Sequence, residues 1–180
     1  MPDAVTMHTI DGGDFTLEPQ VVAHAEPMFA VLSDPAIYEH ENAPPPSADW
    51  LRGRFARLES RRSADGRELW LNWVIRLRDG RLAGYVQATV RADGSAGIAY
   101  ELNSAHWGRG LATRAVQAMI DELGARYGVR RLTAVLKAKN ARSLRLLERL
   151  GFAPASDALR AAHGVEPDEL ILQRDTADQA

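Results

Sequence analysis

The first sixty residues alternate between apolar stretches and turn residues in a pattern that predicts one strand and two helices. Phe15 to Leu17 alternates between apolar and polar side chains, as a half-buried strand does, and Pro19 stops it. Apolar side chains recur at helical spacing over residues 23–32. Asp34-Pro35 ends this helix, because the residue before a proline is pushed out of the α conformation. After a proline-rich loop, Ser47 is a favourable N-cap for the second helix.

The middle of the chain predicts a meander of three antiparallel strands. Residues 70–77 are an apolar run with aromatic and β-branched side chains, and Asp79-Gly80 after it is a strong signal for a two-residue hairpin turn. The chain returns over residues 82–90. Asp93-Gly94 then marks a second turn, which leads into a strand at 98–102.

Helical periodicity dominates the remainder. One helix starts at Leu111 with a single apolar stripe, and Gly128 is a natural stop for it. A strand at 132–136, a short helix over 140–150 and a last strand at 169–173 follow. A strand, a helix and a strand in succession require a right-handed crossover and a parallel pair. We therefore expect an α/β (α+β) fold with a mixed, mostly antiparallel twisted sheet, a central parallel strand pair and flanking helices.

Composition narrows the class of protein. The 180 residues carry 22 basic and 24 acidic side chains, and a formal net charge of −2 disfavours a nucleic-acid-binding protein. The lack of cysteine excludes disulfides and a cysteine nucleophile and suits a cytoplasmic protein. We expect neither a signal peptide nor a membrane span, because no long apolar run occurs. The five histidines follow no metal-ligand spacing, so no metal is expected.

A glycine-containing bend separates the strand at 98–102 from the helix at Leu111. Glycines let the backbone approach a ligand closely, and the first turn of the helix adds unpaired N–H groups and partial positive charge. With Arg109 and Arg114 alongside, the pattern favours a phosphate cradle over a plain tight turn. A Walker loop is excluded because its lysine is missing. A dinucleotide fingerprint is excluded because Ala112 and Thr113 follow where its third glycine would be.

Two motifs resemble the GCN5-related N-acetyltransferase (GNAT) superfamily. In the run from Trp107 to Thr113, Gly110 and Ala112 fit the acetyl-CoA pyrophosphate loop of that family, with Trp107 where a Gln or Arg is usual. This Trp-Gly-Arg-Gly-x-Ala-Thr version is similar to the RimJ/RimL-like branch, which acetylates ribosomal-protein N-termini. The run from Asn140 to Phe152 resembles the helix that lies along the pantetheine arm, although asparagine is also a standard N-cap.

The resemblance implies a single acetyl-CoA-dependent N-acetyltransferase domain over residues 1–180, with acceptor-side helices at about 14–62 and an acetyl-CoA-binding core at about 69–152. It implies that the parallel strands splay apart and leave backbone N–H groups free for the pantetheine and the thioester carbonyl. An amine would attack the thioester directly, without a covalent enzyme intermediate. The implied cofactor-binding residues are Leu102, Asn103, Trp107, Gly108, Arg109, Gly110, Leu111, Ala112, Thr113, Asn140 and Ser143.

Glu101 is the leading candidate for the catalytic base, because it lies on the central strand beside the expected thioester. Strand alternation places Tyr100 and Leu102 on the face opposite to Glu101. A salt-bridged strand carboxylate is the alternative for this residue. Leu147 stands where many family members carry the tyrosine that protonates the leaving thiolate, so Ser143 or a bound water is the candidate donor.

The sequence leaves the acceptor open. A protein N-terminus, a free amino acid, a polyamine and an aminoglycoside each supply a suitable amine. The arginines of the second helix predict a solvated face, or alternatively a grip on an acidic acceptor. Two other classes of protein remain: an acyl-CoA-binding sensor or regulatory module without transferase activity, and a phosphate-binding α+β domain that uses another nucleotide. A homodimer is a further option, while nucleic-acid and membrane partners are not expected.

Overall fold

One eight-stranded sheet with helices on both faces forms the body of the molecule in the computed structural model, which describes residues 3–176. The strands are β1 (Ile10–Asp11), β2 (Phe15–Pro19), β3 (Glu68–Leu77), β4 (Leu82–Arg91), β5 (Ser95–Leu102), β6 (Arg131–Lys137), β7 (Ala153–Pro154) and β8 (Glu169–Asp175). The helices are α1 (Ala25–Leu32), α2 (Ala48–Leu58), α3 (Leu111–Tyr127), α4 (Ala141–Arg149) and α5 (Asp157–His163). The strand order is β1-β2-β3-β4-β5-β6-β8-β7.

The predicted meander is confirmed as β3, β4 and β5, which pair antiparallel in that order. Its two turns contain Gly80 and Gly94, with φ of 88° and 82°, a conformation that glycine adopts without steric cost. β5 begins at Ser95, three residues before the predicted start, because the turn at Asp93 is tight: its carboxylate accepts hydrogen bonds from both the N–H and the hydroxyl of Ser95, at 2.9 and 2.6 Å.

The predicted parallel pair is confirmed between β5 and β6, but it is short. Only Ser95, Ala96 and Gly97 of β5 have partners on β6, namely Arg131, Leu132 and Thr133. Beyond this point the two strands separate, although β5 stays paired with β4 as far as Leu102 and β6 stays paired with β8 as far as Lys137. The centre of the sheet therefore contains a wedge-shaped gap whose two edges are held rigid from outside.

The two faces of the sheet carry different helices. α3 and α4 cover one face, where buried side chains such as Met119, Leu123 and Leu147 form the larger core cluster. α1 and α2 cover the other face, where Met28 and Phe55 belong to a second cluster. Burying each such side chain contributes about 1.5–3 kcal/mol. This division places α1 and α2 on the opposite face of the sheet from α3 and α4.

Local chemistry explains where the elements differ from the sequence expectations. α1 begins at Ala25 rather than at residue 23, because residues 22–24 form a 3-10 turn. The loop expected after Asp34 starts with another 3-10 turn, Pro35–Tyr38, in which the Asp34 side chain accepts from the Ala36 N–H. β1, β7 and α5 were not predicted from the sequence. α5 has no buried residue, so its sequence lacks the apolar stripe from which a helix is predicted.

Across residues 3–176, none of the helices is both long and apolar enough to cross a membrane. Within the same range, no three His, Asp or Glu side chains come together in a way that could hold a metal ion.

Candidate active site

A cavity of about 540 Å³ opens at the gap between β5 and β6. Its walls come from both faces of the sheet: α2 and the 37–45 segment on one side, and α4 with the glycine bend on the other. Val135 of β6 lines the gap with 43% of its surface exposed, which is unusual for a valine in a central strand. An apolar wall and two free strand edges suit a ligand that lies between the strands.

The glycine bend has the geometry of an anion cradle. Gly108 and Gly110 have φ of 76° and 72°, and a Cβ added to either would meet no atom within 4 Å. Gly110 caps α3 without any side-chain hydrogen bond, and the first backbone N–H to be satisfied is that of Arg114, at 3.1 Å from the Gly110 carbonyl. In the part of the chain that the structure describes, the six N–H groups of residues 108–113 have no acceptor. Unpaired N–H groups at the start of a helix form a site that suits a phosphate.

Trp107 is fixed beside this bend. Its indole N–H donates to the carbonyl of Leu102 at 2.8 Å, which ties the bend to the end of β5. The guanidinium of Arg142, from the start of α4, lies 3.5 Å from the centre of the indole ring. Both side chains line the cavity. Sequence reasoning did not single out Arg142, since nothing in the local pattern distinguishes it from the other arginines of α4.

The start of α4 is organised by the predicted asparagine. Asn140 is the N-cap, and its side-chain oxygen accepts from the N–H of Ser143 at 3.1 Å. The Ser143 hydroxyl in turn lies 2.5 Å from the hydroxyl of Tyr100 on β5. Burial raises the pKa of Tyr100 to about 12, with a further contribution from the charge of Glu41, while the hydrogen bond to Ser143 opposes the shift. Tyr100 therefore remains a protonated donor at physiological pH.

This contact supplies a tyrosine that the sequence analysis did not find. Leu147 is buried in the α4 core, as its apolar side chain requires, so α4 itself carries no phenol at that place. Tyr100 brings one from the neighbouring strand. The alternation of β5 was the available signal, because it placed Tyr100 on the face that α4 covers.

Glu101 lies on the other face, in agreement with that alternation. Its carboxylate lies near Tyr85, which packs against the α1–α2 cluster, and near Asn42. Burial raises the pKa of Glu101, and the nearby carboxylate of Glu41 adds to the increase. The polar groups of Tyr85 and Asn42 and the positive charge of Arg54 oppose the increase in pKa. A carboxylate with a raised pKa at the edge of a cavity is a stronger base than a solvated one.

The structure brings together half of the residues that the sequence suggested. The six that line the cavity are Glu101, Leu102, Trp107, Ala112, Asn140 and Ser143. The glycine bend and the first turn of α3 border it and contain Gly108, Arg109, Gly110, Leu111 and Thr113.

Asn103 differs from the rest of that set. Its amide donates to the Val31 carbonyl at 3.1 Å, and its oxygen accepts from the Ala105 N–H at 3.1 Å. The Asn103 side chain therefore connects the end of β5 to α1, and it does not line the cavity.

The match to a family model decides what kind of protein this is. Residues 14–153 match the model of the acetyltransferase (GNAT) domain. The chain belongs to the GNAT acetyltransferases. It is an N-acetyltransferase whose acetyl donor is acetyl-CoA, and the family expected from the two motifs is confirmed.

Relatives agree with this assignment. An uncharacterised N-acetyltransferase of Bacillus licheniformis, p20, is 26% identical over 149 residues, which cover 81% of this chain and 83% of p20. The fold matches the ribosomal-protein-S5-alanine acetyltransferase of Vibrio fischeri with a TM-score of 0.77 at 17% identity, over 97% of this chain and 100% of that one. It also matches RimL, a ribosomal L7/L12 α-N-protein acetyltransferase in complex with CoA, with a TM-score of 0.79 at 16% identity, over 93% and 98% of the two chains. At these identities the two matches show that the fold is shared.

The residues present fit a CoA thioester. The free amides of residues 108–113 suit a diphosphate, the strand edges in the gap suit an extended amide-containing arm, and Val135 offers an apolar wall. When bound, the thioester supplies the acetyl group and a thiolate leaving group. Glu101 and the Tyr100–Ser143 pair then flank the gap from opposite faces of the sheet.

Proposed function

We propose that this acetyltransferase moves the acetyl group to a primary amine by direct attack of the amine on the thioester, with Glu101 as the base. The observation that carries the proposal is the gap between β5 and β6, which has Glu101 on one face and the Tyr100–Ser143 pair on the other. One group is thus available for each of the two protons that the reaction moves.

One proton is accepted on one face of the sheet, and another is donated on the opposite face. The nitrogen lone pair forms a bond to the thioester carbonyl carbon, and Glu101 accepts the proton that the nitrogen loses. The carbon–sulfur bond then breaks, and the sulfur takes a proton from Ser143, which takes one from Tyr100 through their hydrogen bond. Tyr100 regains a proton from solvent and Glu101 releases its proton to solvent, which returns both residues to their starting states. A thiol has a pKa of about 8.5, so this donation assists a leaving group that is already competent.

Backbone groups provide the remaining assistance. We assign the diphosphate to the amides of residues 108–113, in the bend that begins after Trp107, and the pantetheine arm to the edge of β5 up to Leu102 and to the start of α4 at Asn140. Holding the thioester at a fixed place beside the amine converts a two-molecule encounter into an oriented one, which is a large part of catalysis in reactions of this type.

The acceptor that best suits this arrangement is an α-amino group, of a protein N-terminus or a small molecule. A carboxylate is a modest base even when burial raises its pKa. An α-amine with a pKa near 8 has a substantial neutral fraction at pH 7, whereas a lysine near 10.4 has almost none. The helices at about 14–62 would shape the acceptor side, and residues at about 69–152 would hold acetyl-CoA, within one N-acetyltransferase domain.

Thiol release from acetyl-CoA, measured with a panel of amines, tests the proposal. We expect turnover with at least one α-amine and a mass increase of one acetyl group on that amine, and we expect Glu101→Gln to slow the reaction with KM for acetyl-CoA unchanged. Tight binding of acetyl-CoA with no turnover across the panel would favour the sensor class instead. Equal binding of ATP and CoA in competition would favour another nucleotide.

A further inference from the structure

The stacked pair of Trp107 and Arg142 lies between the two segments that border the cavity. Trp107 immediately precedes the free amides of the glycine bend, and Arg142 is in the first turn of α4. Their sequence positions are far apart, so the 3.5 Å stack is a tertiary contact between the bend and α4. Its location makes it a candidate for a role in binding rather than in folding alone.

Trp107 itself has no hydrogen bond left to give. Indole offers a single donor, and the Leu102 carbonyl already accepts it at 2.8 Å. What remains of Trp107 for contact with other groups is the ring face, and a cation occupies that face. Cation–π attraction holds a guanidinium by its flat side and leaves its N–H groups at the edge free to donate.

Arg142 is a cation without an anionic partner. Among residues 3–176 its guanidinium makes no ion pair and no hydrogen bond, and the side chain is exposed at the cavity. Two other arginines near the bend are paired, Arg114 with Asp14 and Arg81 with Asp79, whereas Arg109 within the bend is, among residues 3–176, also without an ion pair. The unpaired guanidinium of Arg142 and the six unpaired backbone amides of residues 108–113 together form a site that favours an anion.

We propose that Arg142, held on the face of Trp107, binds the diphosphate of acetyl-CoA together with the backbone amides of residues 108–113. Arg142 is then a cofactor-positioning residue, and Trp107 acts through it. This inference rests on the proposed acetyl-CoA site. It adds that α4 contributes a charge to the phosphate end of the site as well as the Asn140 cap to the pantetheine end.

Binding of a graded series of ligands tests the proposal. CoA carries the diphosphate and a 3′-phosphate, dephospho-CoA carries only the diphosphate, and pantetheine carries neither. Isothermal titration of each ligand would compare wild type, Arg142→Ala and Arg145→Ala. Arg145 is the matched control, because it is exposed on the same helix and lies outside the cavity.

We expect Arg142→Ala to weaken CoA and dephospho-CoA equally, by about 10-fold or more, since hydrogen bonds to charged groups are among the stronger ones. Pantetheine binding should stay the same, and Arg145→Ala should change none of the three. An Arg142→Lys variant should recover only part of the loss, because lysine lacks the planar donor fork. The affinity of wild type for CoA should also fall more steeply with salt than that of Arg142→Ala.

The failing outcomes are distinct. If wild type did not bind CoA, the proposed acetyl-CoA site would fail with this inference. If wild type bound CoA and Arg142→Ala bound it equally well, only the role of Arg142 would be overturned. Equal weakening of CoA and pantetheine would indicate a structural role, and a loss seen with CoA but not with dephospho-CoA would contradict the diphosphate assignment.

The role of Trp107 has its own readout. Trp107→Leu removes both the aromatic face and the hydrogen bond to the Leu102 carbonyl, whereas Trp107→Phe removes the hydrogen bond and keeps an aromatic face. CoA should therefore bind more weakly to the leucine variant than to the phenylalanine variant, and this difference should be small in the Arg142→Ala background. Independent effects that multiply in the double variant would refute the coupling. Thermal unfolding of each variant confirms that the comparison is made between folded proteins, and Trp107→Met, which also lacks a ring, serves if the leucine variant does not fold.

Discussion

Tyr100 and Glu101 are consecutive residues on β5 and face opposite sides of the sheet at the place where β6 has separated from the strand. The Tyr100 hydroxyl contacts Ser143 of α4, and the Glu101 carboxylate lies near Tyr85 and Asn42 on the α1–α2 side. If β6 stayed paired with β5 at this point, the sheet would separate these two polar side chains completely. The gap instead gives both of them access to one cavity.

Glu101→Gln should reduce kcat by about 10²-fold, a typical contribution of a general base. The unprotonated carboxylate is the active form, so wild-type kcat/KM should rise with pH as Glu101 loses its proton. Because burial raises the pKa of Glu101, the midpoint of this rise should lie above the ordinary value of 4.5. The rise should be absent from the pH profile of the variant.

Glu41→Gln is the matched control for this prediction. Glu41 also lines the cavity, and burial raises its pKa too, with the charge of Glu169 as a second cause. We expect it to retain the acid limb of the profile. Loss of that limb in Glu41→Gln and its survival in Glu101→Gln would transfer the role of base to Glu41.

Glu101→Gln should also make the protein more stable than wild type at neutral pH. The pKa of Glu101 is higher in the folded state than in the unfolded state, so the stability that its protonated form provides is present at low pH and is lost as pH rises through the folded-state pKa. Glutamine keeps a neutral side chain at every pH. The Tm of Glu101→Gln minus that of wild type should therefore increase between pH 4 and pH 8, by a few degrees if the effect is about 1 kcal/mol. A difference that decreases with pH would show that the buried carboxylate is stabilised in the fold.

Tyr100→Phe should lower kcat while KM for acetyl-CoA stays the same, because it removes a donor to the leaving sulfur and keeps the ring in the core. Ser143→Ala should have a similar effect. The double variant should be little worse than either, since both changes break one proton path. With a pKa of about 12, Tyr100 should add no basic limb to the profile below pH 10.

Tyr127→Phe is the comparison for this pair. The Tyr127 hydroxyl also makes a hydrogen bond, to the carbonyl of Thr6 at 3.2 Å, but it lies outside the cavity. Its removal should leave kcat unchanged. A comparable loss of kcat in Tyr127→Phe would mean that phenol removal acts through stability.

Gly110→Leu should abolish the thermal stabilisation that acetyl-CoA confers, because a side chain at this bend occupies the space beside the free amides. Gly128→Leu is a close control, since Gly128 caps the other end of α3 with φ of 63° and also has open space around it. Both variants should lose similar intrinsic stability, about 1–2 kcal/mol each, for a left-handed non-glycine residue. Only the Gly110 variant should lose the shift measured by differential scanning fluorimetry with acetyl-CoA, and an equal response in the two variants would exclude the bend as the binding site.

Local pattern was enough to predict six of the eight strands (all except β1 and β7), the helices α1 to α4 and the glycine bend. The alternation of β5 and the stripe of α3 are properties of consecutive residues, and so is the positive φ of Gly108. Contacts between residues far apart in the sequence could not be predicted from local pattern. The Tyr100–Ser143 hydrogen bond joins residues 43 apart in sequence and depends on how α4 packs over the diverging strands. The Trp107–Arg142 stack depends on the same packing.

The close approach of β4 and β5 near Glu101 leads to a last prediction. A Cβ added at Gly84 of β4 would collide with the Glu101 carbonyl and lie 2.9 Å from the Leu102 Cα, and neither backbone atom can move without shifting β5. Gly84→Ala should therefore lower stability by about 1–3 kcal/mol and displace Glu101, so that kcat falls further than the loss of folded protein explains. At Gly97, where β5 still pairs with β6, the added Cβ would meet only the Thr133 hydroxyl at 3.8 Å, an ordinary contact. Gly97→Ala should leave both Tm and kcat near wild type, and if the two variants behaved alike, the position of Glu101 would not depend on the contact between β4 and β5.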